Sequence, residues 1–324
     1  MLTNKELIEK VNLYIDNIAY NSEPEGLYAP IKYVLALGGK RIRPVLMLMA
    51  YNLYKDNLDE IMPNAVGLET YHNFTLLHDD LMDKAEKRRG KETVHIKWDD
   101  NTAILSGDAM LILAYKLMCE NKSPYLYEAL ATFTEATLGV CEGQQYDMEF
   151  EQRQDVREEE YMEMIRLKTS LLLACALKIG AQLAGASNED AENLYKFGEK
   201  MGLAFQLQDD LLDVYGNPEI FGKNIGGDIL CNKKTFMLIN ALNKSEGSTK
   251  SELENWISKK DFNAAEKISA VTAIYDKLNI KQICSEKIES LFAESLECLE
   301  KVKIEHSRKK ELKDFAYNMM GREY

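Results

Sequence analysis

The chain has 324 residues, of which 46% are hydrophobic and 29% are charged. These values are close to those of ordinary globular proteins and exclude collagen-like, low-complexity and disordered classes. The formal net charge of −13 argues against a nucleic acid as the main partner, because binding to a phosphate backbone requires clustered Lys and Arg. No stretch approaches roughly eighteen uncharged apolar residues, so we expect no transmembrane segment.

The amino terminus and the cysteines bear on location. Residues 1–16 follow the pattern of an amphipathic helix and lack the basic start and apolar block of a signal peptide. The six cysteines are widely spaced and form no CxxC pair. This spacing is typical of reduced core thiols in a cytosolic protein rather than of a disulfide framework or a zinc site. We therefore predict a cytoplasmic protein.

Helix signals recur along the whole chain. Pro44 and Pro63 each precede a long run in which apolar residues are spaced three and four apart. Ser123–Pro124 offers an N-cap followed by a proline at the first helical position, and residues 187–190 form a candidate capping box. No run of alternating β-branched residues is flanked by hairpin turns. The sequence predicts an all-α bundle of about ten or more helices.

Three longer loops interrupt this pattern, at about residues 84–93, 149–157 and 215–227. The first is strongly basic, the second has mixed charges, and the third is rich in Gly and Asn. Residues 243–252 are interpreted as a polar surface connection. Because no Pro/Gly/Ser-rich linker divides the chain, we predict a single domain over residues 1–324.

Two acidic clusters stand in otherwise apolar helical stretches. The first contains Asp79, Asp80 and Asp83, and the second has the same spacing at residues 209, 210 and 213. On a helix, three carboxylates at this spacing converge within one turn and repel each other, so a bound cation is needed to neutralise them. Oxygen ligands alone suit Mg²⁺, which completes its shell with water and substrate phosphate oxygens. The pair of motifs therefore predicts a magnesium–diphosphate clamp.

Basic residues occur where such a clamp would need them. They lie in the turn before Pro44, in the loop after the first cluster, on the helix before the second cluster and just after that cluster: Lys40, Arg41, Arg43, Arg88, Arg89, Lys168, Lys223 and Lys233. Thr169 follows Lys168 directly. His72 precedes Asp79 by two helical turns and therefore shares its face.

The same motifs, taken together, resemble the trans-isoprenyl diphosphate synthases, the polyprenyl synthetase family. The resemblance covers Leu35 to Thr235. In chain order the motifs are GGKRIRP, HDDLMD with His72 upstream, RRGK, GQQYD, KT, FQLQDDLLD, GKNIGGDI and NKKT. The resemblance implies an all-α bundle around a deep central cavity and a homodimer.

The resemblance also implies a role for each matching residue. The ligands of three Mg²⁺ ions, with Mn²⁺ as a substitute metal, are Asp79, Asp80, Asp83, Asp209, Asp210 and Asp213. The allylic diphosphate is bound by Arg88, Lys168, Thr169, Gln206, Lys223 and Lys233. Isopentenyl diphosphate is bound by Lys40, Arg43, His72 and Arg89. Lys168 and Gln206 are assigned with the six aspartates to the reacting centre.

The implied reaction is a head-to-tail condensation. Departing pyrophosphate is stabilised by metal and lysine, the allylic cation is attacked by isopentenyl diphosphate, and loss of a proton leaves a product longer by five carbons. Phe74 and Tyr71 are candidates to block the channel for the growing chain, and Thr75 is small where many farnesyl synthases carry a second aromatic ring. We expect a fifteen-carbon product, with twenty carbons as the second choice.

Three other functions share parts of this pattern. A class I terpene cyclase also uses an aspartate-rich helix, but the complete second motif and GGKRIRP argue against it. A non-catalytic subunit of a heteromeric prenyl synthase would lose metal ligands, whereas all six aspartates are present. A di-iron bundle requires paired Glu-x-x-His motifs, and residues 69–72 supply one of them.

Overall fold

A computed structural model describes residues 2–18, 23–216 and 225–321 of the chain. Nearly all regular structure in these residues is helical, and the all-α prediction is confirmed. The helices are, in order, α1 (Asn4–Asn17), α2 (Glu25–Ala36), α3 (Ile42–Asn52), α4 (Met62–Met82), α5 (Val94–Lys97), α6 (Asp100–Met118), α7 (Leu126–Gln152), α8 (Glu158–Ile165), α9 (Leu171–Ala184), α10 (Asn188–Tyr215), α11 (Gly227–Leu230), α12 (Phe236–Lys244), α13 (Gly247–Ser258), α14 (Ala264–Lys277), α15 (Ile280–Glu300) and α16 (His306–Met320).

Four short elements complete the described structure. A 3₁₀ turn covers Leu58–Glu60, and a π-helical turn, Arg166–Ser170, joins α8 to α9. Strands β1 (Lys87–Arg88) and β2 (Lys91–Glu92) form an antiparallel hairpin. This hairpin lies within the segment that we predicted as a plain basic loop. Its central residues, Arg89 and Gly90, both have positive φ, as a tight two-residue hairpin turn requires.

The chain forms two compact units. The first comprises Met1–Phe133, Cys175–Leu194 and Lys303–Leu312, and the second comprises Thr134–Ala174, Tyr195–Val302 and Lys313–Tyr324. The first aspartate cluster belongs to the first unit and the second cluster to the second unit.

Helix α4 runs through the core of the first unit. Apolar residues on nearly all of its faces are buried, and it packs closely against α6. The close approach depends on Gly67, where an added Cβ would lie 3.0 Å from the Ala114 carbonyl oxygen. In the second unit, Leu207 and Leu211 of α10 lie in a buried apolar cluster together with residues of α12 and α15. Each unit thus holds one aspartate-bearing helix rigidly by apolar packing.

The structure differs from some local predictions. Helix α7 continues to Gln152, so the mixed-charge loop is shorter than expected, and α12 and α13 take up most of residues 243–252. Ser187 does accept a bond from the Asp190 amide, but the Asp190 side chain instead accepts a bond from the amide of Lys303. The six cysteines, all within the described residues, form no disulfide with one another, and of the six Cys175 and Cys284 are buried.

One helical run, Glu158–Ala184, is long and apolar enough to pass for a membrane span, and 78% of its most apolar window is buried inside the protein. A buried core helix meets the same criterion, so this run is weak evidence for a span.

Candidate active site

The first aspartate cluster occupies the last turns of α4. Asp83 follows the final residue of the helix, and its amide donates a bond to the Asp79 carbonyl at 2.9 Å. The carboxyl end of a helix carries partial negative charge, so three carboxylates there are unfavourable until a cation is bound. Asp80 is buried, and its Oδ2 accepts a bond of 2.7 Å from Nε of Arg88.

The β1–β2 hairpin places Arg88 and Arg89. Its base is closed by Thr93, whose hydroxyl donates to the Ala85 carbonyl at 2.6 Å. The Arg89 guanidinium donates to the Gly38 carbonyl, and a Cβ added at Gly39 would lie 2.8 Å from its Nη2 atom. Gly39 also has φ 142, a backbone conformation that favours glycine, so the basic turn presents bare backbone to the hairpin arginine. The contact brings together two of the predicted isopentenyl diphosphate motifs.

Arg41, in the middle of the basic turn, faces inward. It has a left-handed backbone, is 4% exposed, and bonds Asn12, the Leu35 carbonyl and Glu69, the last at 2.8 Å. This buried ion pair attaches the turn to α4. Lys40, on the same turn, is exposed. Of these two neighbouring basic residues, Arg41 therefore holds the turn in place and Lys40 is accessible to a ligand.

Arg43 and His72 form a second buried contact in this region. Nη1 of Arg43 lies 3.1 Å from Nε2 of His72, and because a guanidinium only donates, His72 must accept through an unprotonated Nε2. Burial, followed by the charge of Arg43, lowers the pKa of His72 well below its usual value. Burial also lowers the pKa of Arg43 to about 10, which leaves it protonated at neutral pH. Its buried Nε finds no partner among the described residues.

The predicted chain-length residues lie in a column of aromatic rings. Phe74 packs against His78 at 4.8 Å and against Tyr71 at 5.5 Å between ring centroids. Tyr71 in turn contacts Phe133, which contacts Tyr115. The Thr75 hydroxyl donates to the His72 carbonyl at 2.8 Å, so this side chain lies against its own helix. Position 75 therefore contributes no aromatic ring next to Phe74.

The second aspartate cluster occupies the last turns of α10, again at the carboxyl end of a long helix. Asp210 is buried, and both of its oxygens accept bonds, one from Gln206 at 2.9 Å and the other from the Tyr161 hydroxyl. Burial, with Asp228 adding to the effect, raises the pKa of Asp210 to about 7. Gln206 accepts a bond of 3.0 Å from Thr169, which ties this cluster to the Lys168–Thr169 motif.

A π-helical turn presents Lys168 and Thr169. Two glycines make room for it: a Cβ at Gly143 of α7 would lie 2.9 Å from the Lys168 Cα, and a Cβ at Gly202 of α10 would lie 2.7 Å from the Ser170 Cα. π-Turns are often found at functional sites. Nζ of Lys168 pairs with Asp147 at 2.6 Å.

Two further carboxylates lie beside the second cluster. The Asp228 amide donates to Oδ2 of Asp213 at 3.0 Å. Burial raises the pKa of Asp228 to about 6. The charge of Lys233 acts to lower this pKa, whereas Asp213 and Asp209 act to raise it. Burial acts to raise the pKa of Asp147 as well, but Lys233 and Lys168 outweigh it and the pKa is lowered.

Sequence reasoning assigned no role to Asp147, Asp228 or Tyr161. The first two stand in the GQQYD and GKNIGGDI motifs, whose order in the chain carries the family resemblance but predicts no role for either aspartate. Tyr161 carries no sequence signal, because only the packing of α8 against α10 brings its hydroxyl to Asp210. Lys223 lies outside the described residues.

The donor chemistry of both clusters fits magnesium. Every candidate ligand is a carboxylate oxygen, the type that Mg²⁺ prefers. Among the residues described, no three His, Cys, Asp or Glu side chains are grouped to hold a metal by themselves. Magnesium typically binds through one or two carboxylates plus substrate phosphates and water, so a site of this kind needs no complete cage of protein ligands.

Comparison with known proteins identifies the family. The family described as polyprenyl synthetase matches residues 24–275. The chain belongs to the polyprenyl synthetase family. The geranylgeranyl diphosphate synthase of Methanosarcina mazei is 42% identical over 236 residues, which cover 72% of this chain and 73% of that protein. A (2E,6E)-farnesyl diphosphate synthase of Mycobacterium bovis is 44% identical over 197 residues, which cover 61% of this chain and 55% of that protein.

Solved structures agree with this assignment to the polyprenyl synthetase family. A crystal structure of a geranylgeranyl pyrophosphate synthase has a TM-score of 0.94 and 42% identity, and the match covers 100% of both chains. The family resemblance that the sequence motifs indicated is therefore confirmed, together with the helical fold.

Proposed function

We propose that this polyprenyl synthetase condenses isopentenyl diphosphate head-to-tail with an allylic diphosphate, giving an all-trans short-chain prenyl diphosphate and pyrophosphate. One observation carries the proposal: in each unit, an aspartate cluster at the carboxyl end of a helix stands beside a cation. Arg88 bonds Asp80 in the first unit; in the second, the charge of Lys233 acts on Asp210, and Lys168 bonds Asp147, a carboxylate outside the cluster. Carboxylates that take a metal and cations that take a phosphate are the two halves of a metal–diphosphate site.

The proposed metal ligands are the exposed or partly exposed carboxylates of the clusters. In the first unit these are Asp79 and Asp83, and in the second Asp209 and Asp213 have Asp147 and Asp228 beside them. Bound there, magnesium would neutralise the charge that develops on the departing pyrophosphate. Asp80 and Asp210 are buried with protein partners on their oxygens, and their part is to hold Arg88 and Gln206 in place.

The remaining steps use the protein's own groups. Arg88, Lys168 and Lys233 hold the allylic diphosphate while its C1–O bond breaks and the electron pair leaves with pyrophosphate. Lys40, Arg43 and Arg89 bind isopentenyl diphosphate, whose double bond forms the new carbon–carbon bond. Neutral His72 accepts from Arg43 and so fixes its guanidinium. A proton then passes to pyrophosphate, since the described site residues include no obvious base.

We propose twenty carbons as the product length. The sequence favoured fifteen, and that preference is not confirmed. The match to the geranylgeranyl diphosphate synthase covers more of this chain than the match to the farnesyl diphosphate synthase. In addition, Phe74 is the single ring at the end of the column nearest His78, while Thr75 is small and turned back on its helix. Because position 75 is a threonine, no second aromatic side chain fills the space next to Phe74, which supports a longer product.

We also propose that the protein acts as a single-domain homodimer in the cytoplasm. Helix α6 supports the dimer, because it exposes three large apolar side chains, Ile104, Leu105 and Ile112 at 46%, 61% and 69%. Light scattering of Ile112→Glu should show a shift toward monomer. The control Leu13→Glu, at an exposed leucine of α1, should leave the mass unchanged.

The deciding test of the function is a mass-resolved product assay. Purified protein would receive Mg²⁺, labelled isopentenyl diphosphate and the five-, ten- or fifteen-carbon allylic starter in turn. A ladder that stops at twenty carbons is expected, and one that stops at fifteen would correct the product length. Hydrocarbons or alcohols formed from the allylic diphosphate alone would indicate a cyclase. Absence of turnover with every starter would indicate a non-catalytic subunit.

A further inference from the structure

Lys267 of α14 is a buried charge that the proposed mechanism does not use. Its side chain is fully buried, at 0% exposure. Nζ donates to the Leu230 carbonyl at 3.2 Å and to Oδ1 of Asn232 at 2.8 Å, and it lies 4.2 Å from the centroid of the Phe262 ring. Burying an ammonium is costly unless such partners replace water. The partners named here are neutral groups, and two of them belong to one short segment.

That segment carries two residues of the second cluster. Helix α11 is a single turn that ends at Leu230. Near its start, the Asp228 amide donates a bond to the Asp213 carboxylate. The Lys233 amide then returns to the Asp228 carbonyl at 2.9 Å. The turn therefore sets the positions of Asp228 and Lys233 together.

Helix α14 contacts this turn at both ends. At its start, a Cβ added to Gly226 would lie 2.6 Å from Cδ1 of Ile268. At its end, the Lys267 ammonium contacts the Leu230 carbonyl, where the carboxyl end of the turn favours a positive charge. The same ammonium contacts Asn232, whose backbone is left-handed with φ 54. Such a backbone is sparsely populated by non-glycine residues and persists when its surroundings hold it.

We propose that Lys267 is a positioning residue for diphosphate binding: by joining the Leu230 carbonyl to the Asn232 side chain, it fixes the turn that presents Asp228 and Lys233. The inference rests on the proposed function, because the turn matters only if these two residues meet magnesium and the allylic diphosphate. Lys267 itself touches neither. Without the ammonium, two oxygens lose a donor and the turn loses its attachment to α14.

The test compares two lysines of the same helix. Lys267→Met keeps the length of the side chain and removes the charge. Lys277→Met is the matched control, because Lys277 lies on the same helix but donates its bond of 2.7 Å to Thr249 instead. Calorimetric binding of inorganic pyrophosphate in the presence of Mg²⁺ is measured first, and KM is then measured for each substrate.

Lys267→Met should weaken magnesium-dependent pyrophosphate binding by about tenfold or more, the usual effect of losing a residue that orients ligands. The KM of the allylic diphosphate should rise by a similar factor, while the KM of isopentenyl diphosphate stays within about twofold. In a Lys233→Ala background the further loss should be small, because both changes affect the same turn. Lys277→Met should behave as the unaltered protein does.

A second variant covers the case in which Lys267→Met does not fold. Asn232→Gly removes one partner of the ammonium yet tolerates the left-handed backbone, and it should weaken pyrophosphate binding in the same direction. Unaltered pyrophosphate affinity in a folded Lys267→Met, or in Asn232→Gly where the former does not fold, would overturn the proposal. An unaltered protein that binds pyrophosphate but forms no prenyl product would overturn the proposed function instead.

Discussion

The Arg88 guanidinium and the Asp80 carboxylate are joined at 2.7 Å, and the aspartate side chain is 8% exposed. A residue that the family resemblance assigns to diphosphate is thus held by a residue of the first metal motif. Removing one partner of a partly buried ion pair lowers stability by more than the pair itself contributes, because the remaining charge is left without compensation. The ion pair therefore joins a proposed diphosphate-binding arginine to a proposed metal-binding motif within the first unit.

Arg88→Ala should lower kcat/KM for the allylic diphosphate by about 10²- to 10³-fold, since a donor to the departing group is lost and Asp80 is left unpaired. Steady-state kinetics with both substrates checks this prediction. Arg153→Ala removes an ion pair with Asp155 and Glu160 and serves as the control. Equal rates for the two variants would contradict a role for Arg88.

Asp79→Ala and Asp209→Ala should each lower turnover by at least about 10³-fold while the fold is retained. Because both carboxylates lie at the carboxyl end of a helix, removing either one should leave the melting temperature unchanged or slightly raised. Turnover and thermal melting are measured on the same samples. Near-normal rates in both variants would remove the metal-clamp assignment.

Phe74→Ala should lengthen the product by one or more isoprene units, because it removes the ring that packs between Tyr71 and His78. Phe74→Leu keeps much of the volume and should shift the distribution less. Mass-resolved products decide the matter, with Tyr127→Ala, at an exposed aromatic residue of α7, as the control. An unchanged distribution in Phe74→Ala would show that another residue limits the chain.

The stability of the first unit should depend on pH through His72. Burial lowers the pKa of His72 in the folded state well below the ordinary 6.5. As the pH falls, the unfolded chain therefore binds a proton at His72 before the folded chain does. This contribution to stability is fully present above about pH 6.5 and is lost below it, by up to about 1.4 kcal/mol per pH unit. His72→Gln should flatten that slope. Parallel urea midpoints for both proteins between pH 5 and 8 would refute the prediction.

Much of the fold was readable because its signals are local. The helices before and through the aspartate motifs follow from apolar spacing, and proline marks their starts at Pro44 and Pro63. The hairpin at Lys87–Glu92 was missed, since its two-residue strands are too short to show alternation. The end of α7 was also missed, because a charged sequence favours a helix and a solvated loop almost equally.

In the candidate site, the sequence singles out the six aspartates but does not show how their surroundings differ. Asp79 and Asp80 are the same residue type in adjacent positions, and only the packing shows that Asp80 is buried against Arg88. Arg41 likewise resembles its neighbours Lys40 and Arg43 in sequence. Its inward position results from the left-handed turn and from Glu69 on a distant segment of the chain. Long-range pairing of this kind leaves no periodic signal.

The π-helical turn Arg166–Ser170 has a consequence for how this protein tolerates changes in length. Such a turn contains one residue more than the α-helical path it replaces, so it amounts to a retained insertion within the run Glu158–Ala184. Deleting a single residue there would convert the turn into regular α-helix and change the directions in which the side chains of the turn itself point. Lys168 would then no longer face Asp147, nor Thr169 face Gln206. A protein with a regular helix in this place would therefore be expected to have lower activity.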